Sequence, residues 1–260
     1  MSINLPAPDK RQLSNSPLDL VVCQIRYETN LSVGDNRVAL ALHEALGGRH
    51  GRYARAEQVQ AHALNVAMGP GVEPAVSSAT PLVGWRFVSG DADWIVSVMP
   101  DHVALETSAY ANWEGDFRDR LGELLTVVAE YLSPAFEQRL GLRYIDRLTQ
   151  ADNEAPQDWS HAIRNELLGA ALHEGFASAV IASRQELVLS LEDSVRCTLR
   201  HGFVRESDEP ATYLLDYDIH RQESRPFDVD AVMTAADQFN EVGLQLFQAS
   251  LKPDYWGSLI

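Results

Sequence analysis

The chain has 260 residues, 45% of them hydrophobic and 22% charged, which is enough to bury one large core or two smaller ones. Acidic residues number 37 against 21 basic ones, and the formal net charge is -16. This charge argues against sequence-independent binding to nucleic acid or to an anionic membrane, because both repel an acidic protein.

Cysteine usage and the N-terminal segment set the expected compartment. The two cysteines, Cys23 and Cys197, are far apart in the sequence and suggest neither a disulfide framework nor a metal cluster. The N-terminal segment has no apolar signal core, and no apolar run is long enough to span a bilayer. We therefore expect a cytoplasmic protein with no membrane partner.

The first half of the chain predicts a strand, a helix, a meander and a second helix after an N-terminal arm at residues 1–16. Apolar and polar residues alternate from Leu18 to Thr29, which is typical of a half-buried strand. A helical pattern runs from Asp35 to Gly47, and Asn112 is a suitable cap for a helix that Pro134 ends. Three short runs predict an antiparallel meander: 85–89, 94–99 and 103–110. Residues 57–68 are ambiguous, and 68–81, rich in Gly, Pro and Ser, predict a connecting loop or a lid.

The second half repeats this order of elements. A strand is predicted from Leu140 to Leu148, with Arg139, Arg143 and Arg147 on the face opposite its apolar residues. A helical pattern follows over residues 158–173. Four strands with period-two alternation are then predicted near 176–182, 185–192, 194–205 and 211–222. A long final helix begins at Asp228 and ends near Leu251.

The two halves predict an internal duplication. Ile25-Arg26-Tyr27 and Leu142-Arg143-Tyr144 are offset by 117 residues, and the meanders and long helices follow at nearly the same offset. We therefore divide the chain into repeats at 17–134 and 135–252, followed by an apolar tail at 253–260. The predicted class is α+β, with pseudo-duplicated β-α-β(3–4)-α units that form one curved antiparallel sheet with helices on one face.

Several short segments carry a family resemblance: Pro17-Leu18 followed by Val22 and Ile25-Arg26, then Trp85-Arg86-Phe87 ahead of a turn, then Leu142-Arg143-Tyr144-Ile145. In these segments the chain resembles a sporadically distributed family of uncharacterised bacterial proteins of about this length. The resemblance covers most of the chain and implies an architecture and a bacterial origin, but no activity. It implies Asn directly after the Arg-Tyr-Ile run, where this chain has Asp146.

Common catalytic and cofactor motifs are absent from the sequence. It contains no phosphate-binding glycine loop, dinucleotide-binding turn, hydrolase nucleophile elbow or zinc-protease helix. The eight histidines are scattered, and none pairs with a cysteine at zinc-ligand spacing. We therefore expect no metal and no cofactor. Cys23 and Cys197, like Tyr27 and Tyr144, stand at inward strand positions and are predicted to be buried core residues.

Three Asp-x-Asp pairs offer a weaker metal signal. The pairs that begin at Asp91 and Asp228 are interpreted as a turn and a helix cap. In the third pair, Asp216 and Asp218 project from one strand to the same face. Hairpin pairing is predicted to bring Arg200 close to Asp216 and Arg196 close to His220, which favours cross-strand ion pairs over a cation site.

The sequence predicts two candidate binding surfaces. The first is the sheet face away from the helices, where side chains suited to an anion or an acidic partner gather: Arg26, Arg139, Arg143, Arg147, Arg196 and His220. The alternative is that acids such as Glu28, Glu106 and Glu192 neutralise these arginines. The second surface is the tail, with Tyr255, Trp256, Leu259 and Ile260, which either folds back on its own domain or docks on a partner.

The favoured function is that of a non-enzymatic accessory protein that binds a protein partner through the open sheet face or the C-terminal tail. The alternative is a small-molecule binder, of a small anion for example, or an enzyme without a cofactor. Its ligand would lie between the curved sheet and a helix or the 68–81 loop. Association with further copies of the chain stays open. DNA binding is opposed by the charge.

Overall fold

One antiparallel sheet of ten strands organises the fold of the computed structural model, which describes residues 4–61, 64–67, 75–78, 82–150, 155–192, 194–204 and 211–260. Strands β3 and β4 form a separate two-stranded ribbon. In chain order the strands are β1 (Leu18–Tyr27), β2 (Arg55–Ala61), β3 (Leu64–Ala67), β4 (Ala75–Ser78), β5 (Leu82–Val88), β6 (Trp94–Met99), β7 (His102–Thr107), β8 (Phe136–Thr149), β9 (Ala182–Ser190), β10 (Val195–Val204), β11 (Thr212–Arg221) and β12 (Arg225–Pro226).

Helices and single turns connect these strands. The α-helices are α1 (Asn36–Ala45), α2 (Arg118–Tyr131), α3 (Asn165–Leu168), α4 (Val229–Ser250) and α5 (Pro253–Leu259). Short 3-10 segments cover Leu31–Gly34, Pro156–His161, Gly169–Leu172 and Ala177–Ala179, and a π turn covers Trp113–Phe117. Helix α4 begins as predicted, because the Asp228 carboxylate accepts the backbone N–H of Ala231 at 2.8 Å. Asp35 caps α1 in the same way through the N–H of Arg37.

Strands from the two halves of the chain meet at the centre of the sheet. The strand order is β2-β5-β6-β7-β1-β8-β11-β10-β9, with β12 beside β8. Strands β1 and β8 pair antiparallel, with Cys23 opposite Leu142 and Val21 opposite Tyr144. The predicted α+β class with a curved antiparallel sheet is confirmed. The order runs β7, β6, β5 outward from β1 and β11, β10, β9 outward from β8. The duplication itself stays a prediction that superposing the two halves tests.

The core lies between the sheet and the helices because alternate strand residues are apolar. In β1, Val21, Cys23 and Ile25 are fully buried, whereas the residues between them are at least partly accessible. Helix α2 supplies an apolar stripe that includes Leu121 and Leu125, and α4 packs on β8 and β11. One buried apolar cluster among the described residues contains side chains from both halves of the chain.

Two predicted elements of the second half are wrong. The helix predicted over 158–173 is instead a series of short helical turns, because Gly169 has φ 49° and ψ -124°, which no helix accommodates. Ile163 leaves the helical path as well and forms a bridge with Leu251. The strand predicted over 176–182 is a 3-10 turn at Ala177–Ala179, since the carbonyl of His173 accepts the N–H groups of both Phe176 and Ala177.

In the first half, one helix begins later than predicted and one predicted loop contains a strand. The Asn112 side chain makes no capping hydrogen bond, and Gly115 has φ 80°, so the regular helix α2 begins only at Arg118. Within the predicted 68–81 loop, residues 75–78 form β4 and pair with β3. The rest of that segment, and with it the predicted lid, lies outside the described residues.

Candidate functional site

The sheet face opposite the helices carries most of the predicted arginines. We define the arginine face as the residues of β8, β11, β10 and β9 that point away from the helix layer. The register places Arg143 opposite Asp218, and Arg200 opposite Asp216. Its charged residues are Arg139, Arg143, Arg147, Arg184, Arg196, Arg200, Glu186, Asp216 and Asp218. Six arginines against three carboxylates leave an excess of three positive charges on a chain of net charge -16.

One ionic row crosses all four strands of the arginine face. Arg143 binds Asp216 through two hydrogen bonds of 2.7 Å, from Nε to Oδ1 and from Nη2 to Oδ2. Arg200 lies 3.7 Å from the same carboxylate and donates from Nε to Glu186 at 2.8 Å. The Asp216 side chain is 4% exposed, and its hydrogen bonds raise the pKa of Arg143. Arg143 therefore compensates a buried acid as well as presenting half of its own surface to solvent.

A second row begins at the centre of the sheet. Arg139 donates from Nη2 to both oxygens of Asp218, at 3.1 and 3.2 Å, and from Nη1 to Gln24 at 3.3 Å. His220 Nδ1 is 3.9 Å from the Asp218 carboxylate. The Arg139 guanidinium lies across Gly141, where a Cβ would stand 2.5 Å from Nη1. Glycine is therefore required at position 141 for this arginine to lie flat on the sheet.

Three of the candidate arginines make no contact with the side chains of these two ionic rows. Arg26 is opposite Arg139 in the register and turns away from it to Asp101, at 2.7 Å. Arg147 is 3.4 Å from Asp19, and both side chains are half-exposed. The exposed Arg196 has no ion pair or side-chain hydrogen bond with any residue in the described ranges, and the same holds for Arg184. Arg196 and Arg184 therefore present guanidinium groups that no described acid neutralises.

The acids predicted to neutralise the arginines are the wrong ones. Glu28 accepts the backbone N–H groups of Ala135 and Phe136, and Glu106 pairs with Arg86 at 3.4 Å. Glu192 has no ion pair among the described residues. Asp101, Asp216 and Asp218 pair with Arg26, Arg143 and Arg139 instead. The predicted opposition of Arg200 to Asp216 and of Arg196 to His220 is confirmed by the register of β10 and β11.

Cys23 and Cys197 are buried free thiols, as predicted, and burial raises the pKa of each to about 12. Tyr27 and Tyr144 are also buried. The Tyr27 hydroxyl donates to the Met99 carbonyl at 2.7 Å, and the Tyr144 hydroxyl to Asn240 Oδ1 at 2.7 Å. These four residues support the core, and none of them contributes to the arginine face.

The C-terminal residues fold back on their own chain. They form helix α5, in which Leu259 is 3% exposed and Tyr255 and Trp256 are partly buried; Ile260, directly after the helix, is partly buried as well. The Leu259 carbonyl accepts the N–H groups of Ser14 and Asn15, at 2.8 and 3.2 Å. The Trp256 ring packs edge-on against Phe247 with centroids 6.0 Å apart. Of the two alternatives for the tail, the structure contains the intramolecular one.

The described residues offer little to a metal ion. Asp91 binds Ser89 and the N–H of Asp93 within its turn, and Asp228 caps α4. No group of three or more His, Cys, Asp or Glu side chains is placed to hold a metal within the described ranges. No helix in the part of the chain that the structure describes is long and apolar enough to cross a membrane.

A groove of about 610 Å³ lies on the helix side, between the start of α2 and helix α4. Its central carboxylate, Asp237, accepts from Trp113 Nε1 at 2.8 Å and from Arg118 Nε and Nη2 at 2.8 and 3.0 Å. These polar groups hold one another and fix α2 to α4. The ligand space predicted beside the 68–81 loop cannot be placed, since most of that loop is outside the described residues.

Comparison with protein families, with curated proteins and with solved structures finds no match to this chain. The resemblance to an uncharacterised bacterial family therefore stays a prediction from short sequence segments. Any functional conclusion depends on the geometry of the arginine face and its surroundings.

Proposed function

We propose that this protein is a non-enzymatic binding module that engages an acidic segment of a protein partner on its arginine face. The observation that carries the proposal is the excess of arginine on a sheet face that no described helix covers, in a strongly acidic chain. A positive area within a negative surround attracts acidic groups and orients them, because the surrounding charge repels them elsewhere.

The spacing of the available guanidinium groups favours an extended ligand. Arg147 and Arg184 stand on one row across the strands, whereas Arg196 stands on the row that contains Gly141 and His220. Those two rows are six residues apart along β8, which is about 20 Å at the usual strand rise. Arg143 and Arg200 lie between them and are 43% and 44% exposed. An acidic segment of several residues spans this distance, and a single small anion does not.

The arrangement also favours the sheet face over the tail as the binding surface. Leu259 of the tail is buried and holds the N-terminal arm through Ser14 and Asn15, so its apolar surface is already used. On the arginine face, Arg143 and Arg139 are held by Asp216 and Asp218, which pre-orders the side chains that a ligand would meet. The thiols and tyrosine hydroxyls of the core point away from it, which supports binding rather than catalysis.

The test uses a fluorescein-labelled oligoglutamate peptide as the probe and measures its fluorescence anisotropy at low ionic strength. We expect binding that weakens as salt is added, since surface charge pairs are screened. The double variant Arg147→Gln/Arg196→Gln should weaken binding about tenfold, because two charge-assisted contacts are lost. The melting temperature should change little, since neither arginine compensates a buried acid.

Arg37→Gln/Arg164→Gln is the matched control, because it makes the same charge change at two exposed arginines of the helix layer. Its affinity should equal that of the native protein. No binding of the peptide by the native protein, or equal weakening in both double variants, would reject the arginine face as the site. If stoichiometric inorganic phosphate displaces the peptide, the ligand of the arginine face is a small anion and not an acidic segment.

A further inference from the structure

Strand β9 is an edge of the sheet, with β10 on one side and no described strand on the other. The N–H of Leu191 donates to the carbonyl of Val195 at 3.0 Å. In an antiparallel pair every second residue of a strand forms backbone hydrogen bonds with the neighbouring strand, so this bond shows which residues of β9 bond to β10. Odd-numbered residues of β9 therefore direct their backbone groups to β10. Those that direct them outward are Ala182, Arg184, Glu186, Val188 and Ser190, and no hydrogen bond from a described residue reaches their backbone on that side.

The β9 edge lacks several of the features that usually keep sheet edges apart. Its sequence contains no proline and no lysine, and its register with β10 continues from Ala182 to Ser190 without a bulge. Apolar side chains beside the edge face solvent: Ile181 is 79% exposed, Leu187 42% and Val188 60%. An edge of this length with exposed apolar residues is a template for a further strand.

The charges of β9 complement themselves when two copies run antiparallel. If Gln185 faces Gln185 of a second copy, Arg184 lies opposite Glu186 of that copy, and the same pair forms again on the other side of the axis. A register centred on Glu186 would set two glutamates face to face. One centred on Leu187 would leave Arg184 opposite Ser190. Charge complementarity therefore selects the register centred on Gln185.

We infer that β9 pairs with β9 of a second copy of this chain, antiparallel and centred on Gln185, to form a symmetric dimer. Residues 182–188 of the two copies then complete each other's outward hydrogen bonds. The twofold axis is perpendicular to the sheet, because opposed residues in this register have their side chains on the same face. Both helix layers lie on one side, and the two arginine faces become one continuous surface. This inference does not rest on the proposed acidic ligand: Arg184 pairs across the axis, whereas Arg147 and Arg196 lie on β8 and β10 and take no part in the β9 contact.

The test is sedimentation equilibrium of the full chain from micromolar to millimolar concentration. The native protein should dimerise, and Arg184→Glu and Glu186→Arg should each weaken the dimer about tenfold or more, because each places like charges opposite one another twice. An equimolar mixture of these two variants should dimerise again, since one strand then carries two acids and the other two arginines. Recovery on mixing cannot arise from damage to the fold.

Two further variants keep the outcome clear. Arg55→Glu makes the same charge change on β2, at the opposite edge of the sheet, and should leave the dimer intact. Val188→Pro removes one outward N–H that β10 does not use and should give a monomer with a similar melting temperature. A native protein that stays monomeric at every concentration would overturn the inference. A dimer that survives Val188→Pro and both charge variants would show that another surface forms it.

Discussion

The pairing with Asp216 gives Arg143 a structural role that Arg196, on the same sheet face, does not have. Asp216 lies on the face away from the helices, yet its side chain is 4% exposed, because Arg143 and Arg200 cover it. Removal of Arg143 would leave a buried charge with only the weaker contact to Arg200. Arg196, by contrast, forms no ion pair with any described carboxylate. The same residue type on the same sheet face therefore serves the fold at position 143 and is available to a ligand at position 196.

Asp146 is buried on the helix side of β8 and is 4% exposed. No hydrogen bond or ion pair joins its side chain to any described residue, and it lies near the hydroxyl-bearing rings of Tyr144 and Tyr217. Burial without a partner raises the pKa of Asp146 to about 8. The folded protein therefore holds a proton that the unfolded chain releases near the ordinary value of 3.8.

Between those two pKa values the folded state binds more protons than the unfolded chain, so the free energy of unfolding falls as the pH rises. We predict that Asp146→Asn removes this dependence, because the amide cannot ionise. The variant should exceed the native protein in stability by about 2 kcal/mol or more at pH 8, and the difference should shrink towards pH 5. Urea unfolding at several pH values measures both quantities.

Asp19→Asn is the control for this prediction, since the Asp19 side chain is 51% exposed and loses little on neutralisation. Its pH profile should follow that of the native protein. Parallel profiles for Asp146→Asn and the native protein would show that Asp146 stays ionised in the folded state.

Helix α4 lies close to the sheet because it has a glycine where the two elements meet. A Cβ at Gly243 would stand 3.0 Å from two ring carbons of Tyr144 and 3.3 Å from Ile219 Cδ1. The Tyr144 ring cannot move aside easily, since its hydroxyl binds Asn240 and the ring makes a T-shaped contact with Tyr110. The close approach of α4 to β8 therefore depends on the lack of a Cβ at Gly243.

We predict that Gly243→Ala lowers the free energy of unfolding by about 1 kcal/mol or more. Alanine gains about 1 kcal/mol of helix propensity, and the predicted overlap with Tyr144 costs more than that gain. Thermal and urea unfolding measure the net effect. Gly122→Ala in α2 is the matched control, because its Cβ would meet Met233 only at an ordinary 3.8 Å. That variant should be stabilised, and stabilisation of both variants would show that α4 has room to shift.

The two ends of the described chain are joined through the C-terminal helix. Leu259 is buried and its carbonyl binds Ser14 and Asn15, while Gln248 of α4 exchanges hydrogen bonds with the backbone of Asp9. The N-terminal arm thus lies along α4 and under α5. Leu5 and Leu13 of the arm also pack against the buried core, and these contacts hold the arm in place together with the hydrogen bonds.

We predict that Leu259→Ala lowers the free energy of unfolding by about 2 kcal/mol through the cavity it leaves. It should also speed tryptic cleavage after Lys10 and Arg11, because α5 then holds the arm less firmly. Gly257→Ala, whose added methyl meets nothing, is the control in the same helix. Mass spectrometry of the first fragments reports the cleavage rate. An unchanged rate in Leu259→Ala would show that the arm is held independently of α5.

Local patterns predicted the two faces of the central strands correctly. Cys23 and Tyr144 point inward and Arg26 and Arg143 outward, because side chains alternate along any strand and the described helices pack on one face of this sheet. The start of α4 at Asp228 was equally predictable, since a cap acts within one turn of the chain. Local pattern was not sufficient for residues 158–173. Their apolar spacing fits a helix, but the backbone at Gly169 has a conformation that interrupts one.

Tertiary structure decided which acid meets each arginine and which carboxyl is buried. Arg139 and Asp218 are 79 residues apart, and Arg26 and Asp101 are 75 apart, so their pairing depends on strand order and register. Asp146 reads as one more charged residue in the sequence, and only the packing around β8 removes it from water. Alternation along one strand determines which face of the sheet a side chain lies on, so the faces were predictable. The contacts of that side chain come from strands that are distant in the sequence, so they were not predictable.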